Sequence, residues 1–188
     1  MKSIDAEYAQ RLVAIQQPLW KRVLDVQRPY RWNLRRLNPG RTLDIGCGIG
    51  RNLAHLGIDT VGVDPNETCV AEARAAGFSA FTPAELPADT YETLLFSHVL
   101  EHVDDPAGLI SAYLPFLLPQ GQIILITPQE RGYTSDPTHV RFLDLTALRA
   151  ICEGLGLSVS RSFSFPFPRF LGRAFKYNEF VLTAVKPD

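Results

Sequence analysis

The chain has no apolar run long enough to cross a bilayer; the longest, such as Ile123–Ile126, fall far short of the roughly 20 residues a spanning helix needs. Its opening residues, MKSIDAEYAQ, lack the apolar core of an export signal. Cysteine is scarce. Three residues, Cys47, Cys69 and Cys152, are odd in number and scattered. That excludes a disulfide framework and a C-x-x-C metal site, and suggests reduced thiols in a cytoplasm. Excess charge of either sign is also missing. Nineteen Lys and Arg meet twenty Asp and Glu, a formal net charge of −1. No global electrostatic case then exists for a nucleic-acid or membrane partner. No internal repeat or low-complexity tract appears.

What is there is one domain's worth of chain. The 188 residues are 46% hydrophobic, enough for a single well-filled core. Residues 1–40 form a helical leader, a possible lid. Leu12, Ile15, Leu19, Val23 and Val26 recur at spacings of three and four, with Pro18 and Pro29 as breaks or kinks. From residue 41 to 188 strands alternate with helices. RTLDIG is a strand ending in glycines and RNLAHL the helix after it. DTVGVD is a second strand, followed by the helix ETCVAEARAAG with Gly77 as its cap. FSAF, YETLLFS and GQIILIT are further strands. DPAGLISAYLPFLL and LTALRAICEGLG are helices, and LSVSRSFSF and FKYNEFVLTAVK close the chain as antiparallel neighbours. The expected fold is α/β: a single Rossmann-like, doubly wound, seven-stranded sheet, mostly parallel with an antiparallel last strand and helices on both faces.

The first strand runs into DIGCGIGRN, with glycines at 46, 48 and 50. A plain βα turn needs one or two. Three at alternate positions suit a backbone that a ligand approaches closely. The dinucleotide fingerprint G-x-G-x-x-G is not met, because its last position is Arg51. Asp44 is awkward beside a pyrophosphate but suits a ligand carrying an ammonium and a sulfonium. Asp64, ending the second strand, can accept hydrogen bonds from two ribose hydroxyls.

LDIGCGIGRN, GVDPN, FSHVLEHVDDP and LLPQGQIILITP, in this order and spacing, resemble the successive motifs of class I S-adenosylmethionine-dependent methyltransferases. The resemblance covers Arg41 to Thr127 and continues more loosely beyond. It implies S-adenosylmethionine as cofactor and S-adenosylhomocysteine as product. Gly46, Gly48 and Gly50 would lie under the methionine part, lined by the Cys47 backbone. Asp44 would help place the ammonium and Asp64 would hold the ribose. Pro65 and Asn66 would border the adenine. Family members often carry an acidic residue before Ala-Glu-x-Leu-Pro; here TPAELP has Thr82 instead, leaving Ala84 and Glu85 as adenine contacts. The reading is an enzyme acting on a small molecule, with a non-catalytic S-adenosylmethionine-binding module as the alternative. The acceptor and the oligomeric state are not legible.

One stretch invites a different chemistry. HVLEH, His98 to His102, matches the inverted zinc-peptidase pattern H-x-x-E-H. Such a site needs a third protein ligand, nominally Glu153 or Glu179, and a helix carrying both histidines. Here His98 follows the strand YETLLFS, so the helix would have to begin inside a strand. The expectation is therefore no metal: Ser97 and His98 line the cofactor's methionine end, and His102 is a structural histidine at a helix start. The long segment from Pro128 to Leu145 suggests a substrate wall, as do Trp20, Tyr30, Arg31 and Trp32 of the leader. His139 and Tyr133 are the candidate bases, needed only if the acceptor must lose a proton.

Overall fold

The computed structural model describes residues 27–188 apart from Asn38 and Ile58. The amphipathic stretch from Leu12 to Val26, with Pro18 and Trp20, lies outside the described residues. The first described element is helix α1 (Arg28–Arg36), whose Pro29 sits in the opening turn, where a missing N–H costs no hydrogen bond.

Seven strands form one sheet in the order β3-β2-β1-β4-β5-β7-β6. They are β1 (Thr42–Ile45), β2 (Val61–Val63), β3 (Ser79–Phe81), β4 (Tyr91–Ser97), β5 (Leu117–Pro128), β6 (Ser158–Phe165) and β7 (Glu179–Val185). Strands β3 to β5 pair in parallel, and β7 runs antiparallel to both β5 and β6. This is the expected doubly wound sheet. The chain moves outward through β2 and β3, then returns to place β4 on the other side of β1. Ligands of open α/β sheets bind at such a reversal, beyond the carboxyl ends of the strands.

Burial on both faces explains why the inner strands read as continuous apolar runs. Leu94, Phe96, Ile123 and Leu125 point into the larger core, with Ile110 and Leu148 from the helices. Leu95, Ile124 and Ile126 alternate onto the other face, under Leu34 and Leu37 from α1 and its end. Helix α2 (Glu67–Ala75) is capped by Asn66, α3 (Pro106–Tyr113) by Asp105 and α5 (Leu145–Gly154) by Asp144; each carboxylate or amide oxygen accepts a backbone N–H of the first turn. Gly77 takes the left-handed conformation after α2, as its position suggested.

Three local expectations are corrected. RNLAHL is a run of turns rather than a regular helix. Asn52 there turns its amide toward Asp44, and the His55 carbonyl accepts from Arg35 instead of a following helical amide. The helix expected over DPAGLISAYLPFLL stops at Tyr113. Pro115 cannot donate to the preceding turn, so Leu114–Phe116 tightens into a 3-10 turn and Leu117 already belongs to β5. The linker after β5 is also less bare than expected, since Glu130–Tyr133 forms a one-turn helix, α4.

Candidate functional site

The loop after β1 is shaped by positive φ at Gly46 (71°), Gly48 (54°) and Gly50 (88°). At Gly46 a Cβ would collide with the Val99 side chain, which ties the loop to the segment following β4. At Gly50 it would meet the Phe78 ring at 2.6 Å. These two glycines thus serve loop packing, whatever they offer a ligand. The Gly48 N–H donates to Asp64 Oδ2 at 2.8 Å, and the Asn66 N–H donates to Asp64 Oδ1 at 2.9 Å. Asp64 therefore latches the glycine loop to the end of β2. Each oxygen keeps acceptor capacity for a further donor. Burial pushes the Asp64 carboxyl up, opposed by those two amides.

Asp44 stands in mid-β1 and is 1% exposed. Its Oδ1 accepts from the Asn52 amide at 3.3 Å, and its Oδ2 has no partner. Burial raises its carboxyl to about 7, against the Asn52 hydrogen bond and helped by nearby Asp64. Cys47 is buried beside it, and burial holds its thiol well above the ordinary range. Pro65 is exposed; the Asn66 side chain is already spent on capping α2. Ala84 and Glu85 are exposed on the segment after β3, where Glu85 accepts from the Thr82 N–H and hydroxyl and from Arg74.

On the other side of the reversal, Ser97 ends β4 and His98 adopts φ 58°, uncommon for a residue with a side chain. Both ring nitrogens of His98 face carboxylates: Nδ1 lies 3.2 Å from Glu101 Oε1 and Nε2 2.9 Å from Glu179 Oε1. Two acceptors require two N–H groups, so the ring is an imidazolium. Burial opposes that charge, but the hydrogen bonds to Glu101 and Glu179 hold its pKa well above the usual histidine value. Ser97, His98, Ile126 and Glu179 line a shallow cleft together with Tyr30 and Arg31 of α1. Trp32 is exposed on the same helix and Trp20 lies outside the described residues.

HVLEH does not form a two-histidine helix face. Leu100–His102 is one 3-10 turn and His98 precedes it. Both nitrogens of His98 are committed, Glu179 is its partner, and Glu153 pairs with Arg149 on α5. His139 and Tyr133 are brought together, their rings stacked at 5.4 Å, with His139 Nδ1 donating to the Tyr133 carbonyl. The roles of Glu101 and Glu179 were missed. Glu179 is 81 positions from His98, and nothing local marks a partner at that separation.

A sheet of this order, with a glycine loop and a strand-end carboxylate at its reversal, defines an α/β protein of the Rossmann-like class built to hold a nucleoside cofactor. Residues 19–162 match the family model described as a methyltransferase domain. The chain belongs to that family, the class I S-adenosylmethionine-dependent methyltransferases. Over 115 residues it is 31% identical to a ubiquinone biosynthesis O-methyltransferase of Bradyrhizobium diazoefficiens, covering 53% of this chain and 46% of that protein. The chain spans about half the length of the curated relatives it matches. A crystal structure of an S-adenosylmethionine-dependent methyltransferase from Archaeoglobus fulgidus superposes with TM-score 0.68 and 21% identity, over 89% of this chain and 98% of that one. The magnesium protoporphyrin IX methyltransferase of Synechocystis with bound S-adenosylhomocysteine superposes with TM-score 0.62 and 20% identity, over 91% and 89%. No helix among the described residues is long and apolar enough to cross a membrane.

Proposed function

We propose that this chain transfers a methyl group from S-adenosylmethionine to a small-molecule acceptor held in the cleft beside His98. The observation that carries the cofactor assignment is the buried, unpartnered Asp44 Oδ2 under the glycine loop, at the point where the strand order reverses. A buried acceptor without a donor is costly, and a cationic donor satisfies it. An ammonium fits that need; a pyrophosphate would worsen it. In this reading Asp44 and Asn52 orient the ammonium, the loop of Gly46, Cys47, Gly48 and Gly50 lines the methionine part, and Asp64 accepts from the ribose. Pro65 and Asn66 would border the adenine, with Ala84 and Glu85 nearby.

The cofactor supplies an activated sulfonium methyl. What the protein adds is position. Holding acceptor and methyl in line can supply up to about 7–11 kcal/mol of the barrier reduction in favourable cases. His98, pinned by Glu101 and Glu179, offers a fixed cationic ring in the lining of the cleft, and Ser97 borders the methionine end. Tyr133 and His139, stacked on the segment after β5 and outside the lining of this cleft, are the candidate bases for an acceptor that must lose a proton. α1 covers the cleft, and we propose that residues 1–40 act as its lid, with 41–188 as the catalytic domain. The O-methyltransferase name of the Bradyrhizobium relative favours a hydroxyl acceptor. The balanced charge and three buried, scattered cysteines fit a cytoplasmic protein without nucleic-acid or membrane partners.

Titration calorimetry with S-adenosylhomocysteine tests the cofactor assignment, and transfer of labelled methyl to a panel of hydroxylated aromatics tests the activity. Binding without transfer to any acceptor would leave a cofactor-binding module; no binding would refute the assignment.

A further inference from the structure

We propose that Glu101, His102 and His139 bind a divalent first-row transition-metal ion beside the cleft. One ligand atom from each lies within 4.8 Å of the others. Glu101 is 0% exposed. Its Oε1 accepts from His98, while its Oε2 is buried with no hydrogen-bond partner. A buried carboxylate oxygen left in that state calls for a cation or a donor.

The two imidazoles are set up to meet it. His139 Nδ1 lies 2.8 Å from the Tyr133 carbonyl, which can only accept, so Nδ1 carries the proton. The lone pair is then on Nε2, which lies 3.9 Å from Glu101 Oε1. His102 Nδ1 lies 3.3 Å from the Thr138 carbonyl and 3.2 Å from the Thr138 hydroxyl. That hydroxyl gives its single proton to Asp136 at 2.7 Å, so it has none for His102. His102 must donate from Nδ1 and keep its lone pair on Nε2. Each ring thus has its Nδ1–H on a backbone carbonyl and its lone pair on Nε2, the arrangement that metal-ligating histidines use. The rings lie 4.7 Å apart, centroid to centroid. Ligand atoms around one tetrahedral ion stand roughly 3.3–3.5 Å apart for bonds of about 2.0–2.1 Å. Closing onto an ion therefore takes side-chain movements on the order of 1 Å.

Two imidazoles and one carboxylate suit zinc, cobalt, manganese or ferrous iron, and disfavour magnesium and calcium, which prefer oxygen-only sets. Three protein ligands leave a position open for water or an acceptor oxygen. The ion would stand one side chain from the cleft, because Glu101 also holds His98. If the methyltransferase reading is right, a hydroxyl acceptor whose oxygen reaches the ion's open position gives its proton to solvent more easily, because the cation stabilises the alkoxide or phenoxide left behind; that role rests on the reading above, whereas the metal site does not.

The test uses untagged full chain stripped with chelator. Zn²⁺ affinity is measured by competition with a chelating dye, and Co²⁺ binding by its visible d–d absorption. We expect one ion per chain, a loss of affinity of at least about tenfold in each of His102→Ala and His139→Ala, and no change in His55→Ala. Mg²⁺ in large excess should not displace Co²⁺. A wild-type protein that takes up neither ion overturns the proposal, whatever the variants do. So does a folded His102→Ala/His139→Ala double variant that binds as wild type does. S-adenosylhomocysteine affinity of the stripped protein, measured separately, reports on the methyltransferase reading alone.

Discussion

Single residues at this site carry both structure and chemistry, and Asp44 shows the tension most clearly. Its folded-state pKa, about 7, stands above the ordinary 3.8 because burial penalises the anion. The sign follows. Below the unfolded value both states are protonated and the group is neutral to stability. As pH rises from about 4 to about 7 the unfolded chain sheds its proton first, so the fold loses stability across that window. We expect Asp44→Asn to flatten this part of the stability–pH curve and to melt higher than wild type at pH 8. An equal slope in thermal melts of the two proteins would count against it. If a cofactor ammonium reaches Oδ2, binding favours the anion and releases protons near pH 6.5, which calorimetry in buffers of different ionisation heat detects. Asp64 makes a second case. Removing it strips acceptors from the Gly48 and Asn66 amides as well as from a ribose. Asp64→Ala should therefore lower stability by about 1–3 kcal/mol and weaken S-adenosylhomocysteine binding at least about tenfold, the change that 1.4 kcal/mol brings. Unchanged affinity in a folded variant would remove Asp64 from the site.

Elements hold these residues in place through contacts that short sequence patterns do not display. The β-strands were legible because burial on both faces forces apolar runs bounded by glycine and polar residues, as in TLDI and YETLLFS. RNLAHL was misread because its apolar spacing is helical while the chain entering it turns through three left-handed glycines. Gly46 is the sharper example. Its place in the motif suggests room for a ligand, yet a Cβ there meets Val99. Gly46→Ala should lower the melting temperature, and Val99→Ala in the same chain should restore part of the loss. Additive losses would show that the two do not touch. Another hub escaped notice altogether. Gln129 and Asn178 are both 0% exposed; Asn178 donates to Gln129 Oε1 and accepts from the Phe167 N–H, while Gln129 donates to Ser164 and to the Glu179 carbonyl. Amide side chains spaced 49 apart give no periodic signal. Asn178→Ala leaves several buried groups unpaired and should cost about 2–4 kcal/mol, read as a shift in the urea midpoint.

At the scale of the whole molecule, the order of the strands decides what can meet. Five parallel strands bring the glycine loop, Asp64, Ser97 and Thr127 to one edge of the sheet, and this much followed from the alternation of strands and helices. The contribution of the last strand did not. Because β7 runs opposite to β5, its first residue, Glu179, arrives at the edge where the parallel strands finish, opposite Pro128 in the ladder. A carboxylate from far along the chain thereby reaches His98. Without β7 between β5 and β6, His98 Nε2 lacks its carboxylate partner. A chain cut before residue 179 would keep the glycine loop and lack the carboxylate that holds His98 and lines the cleft.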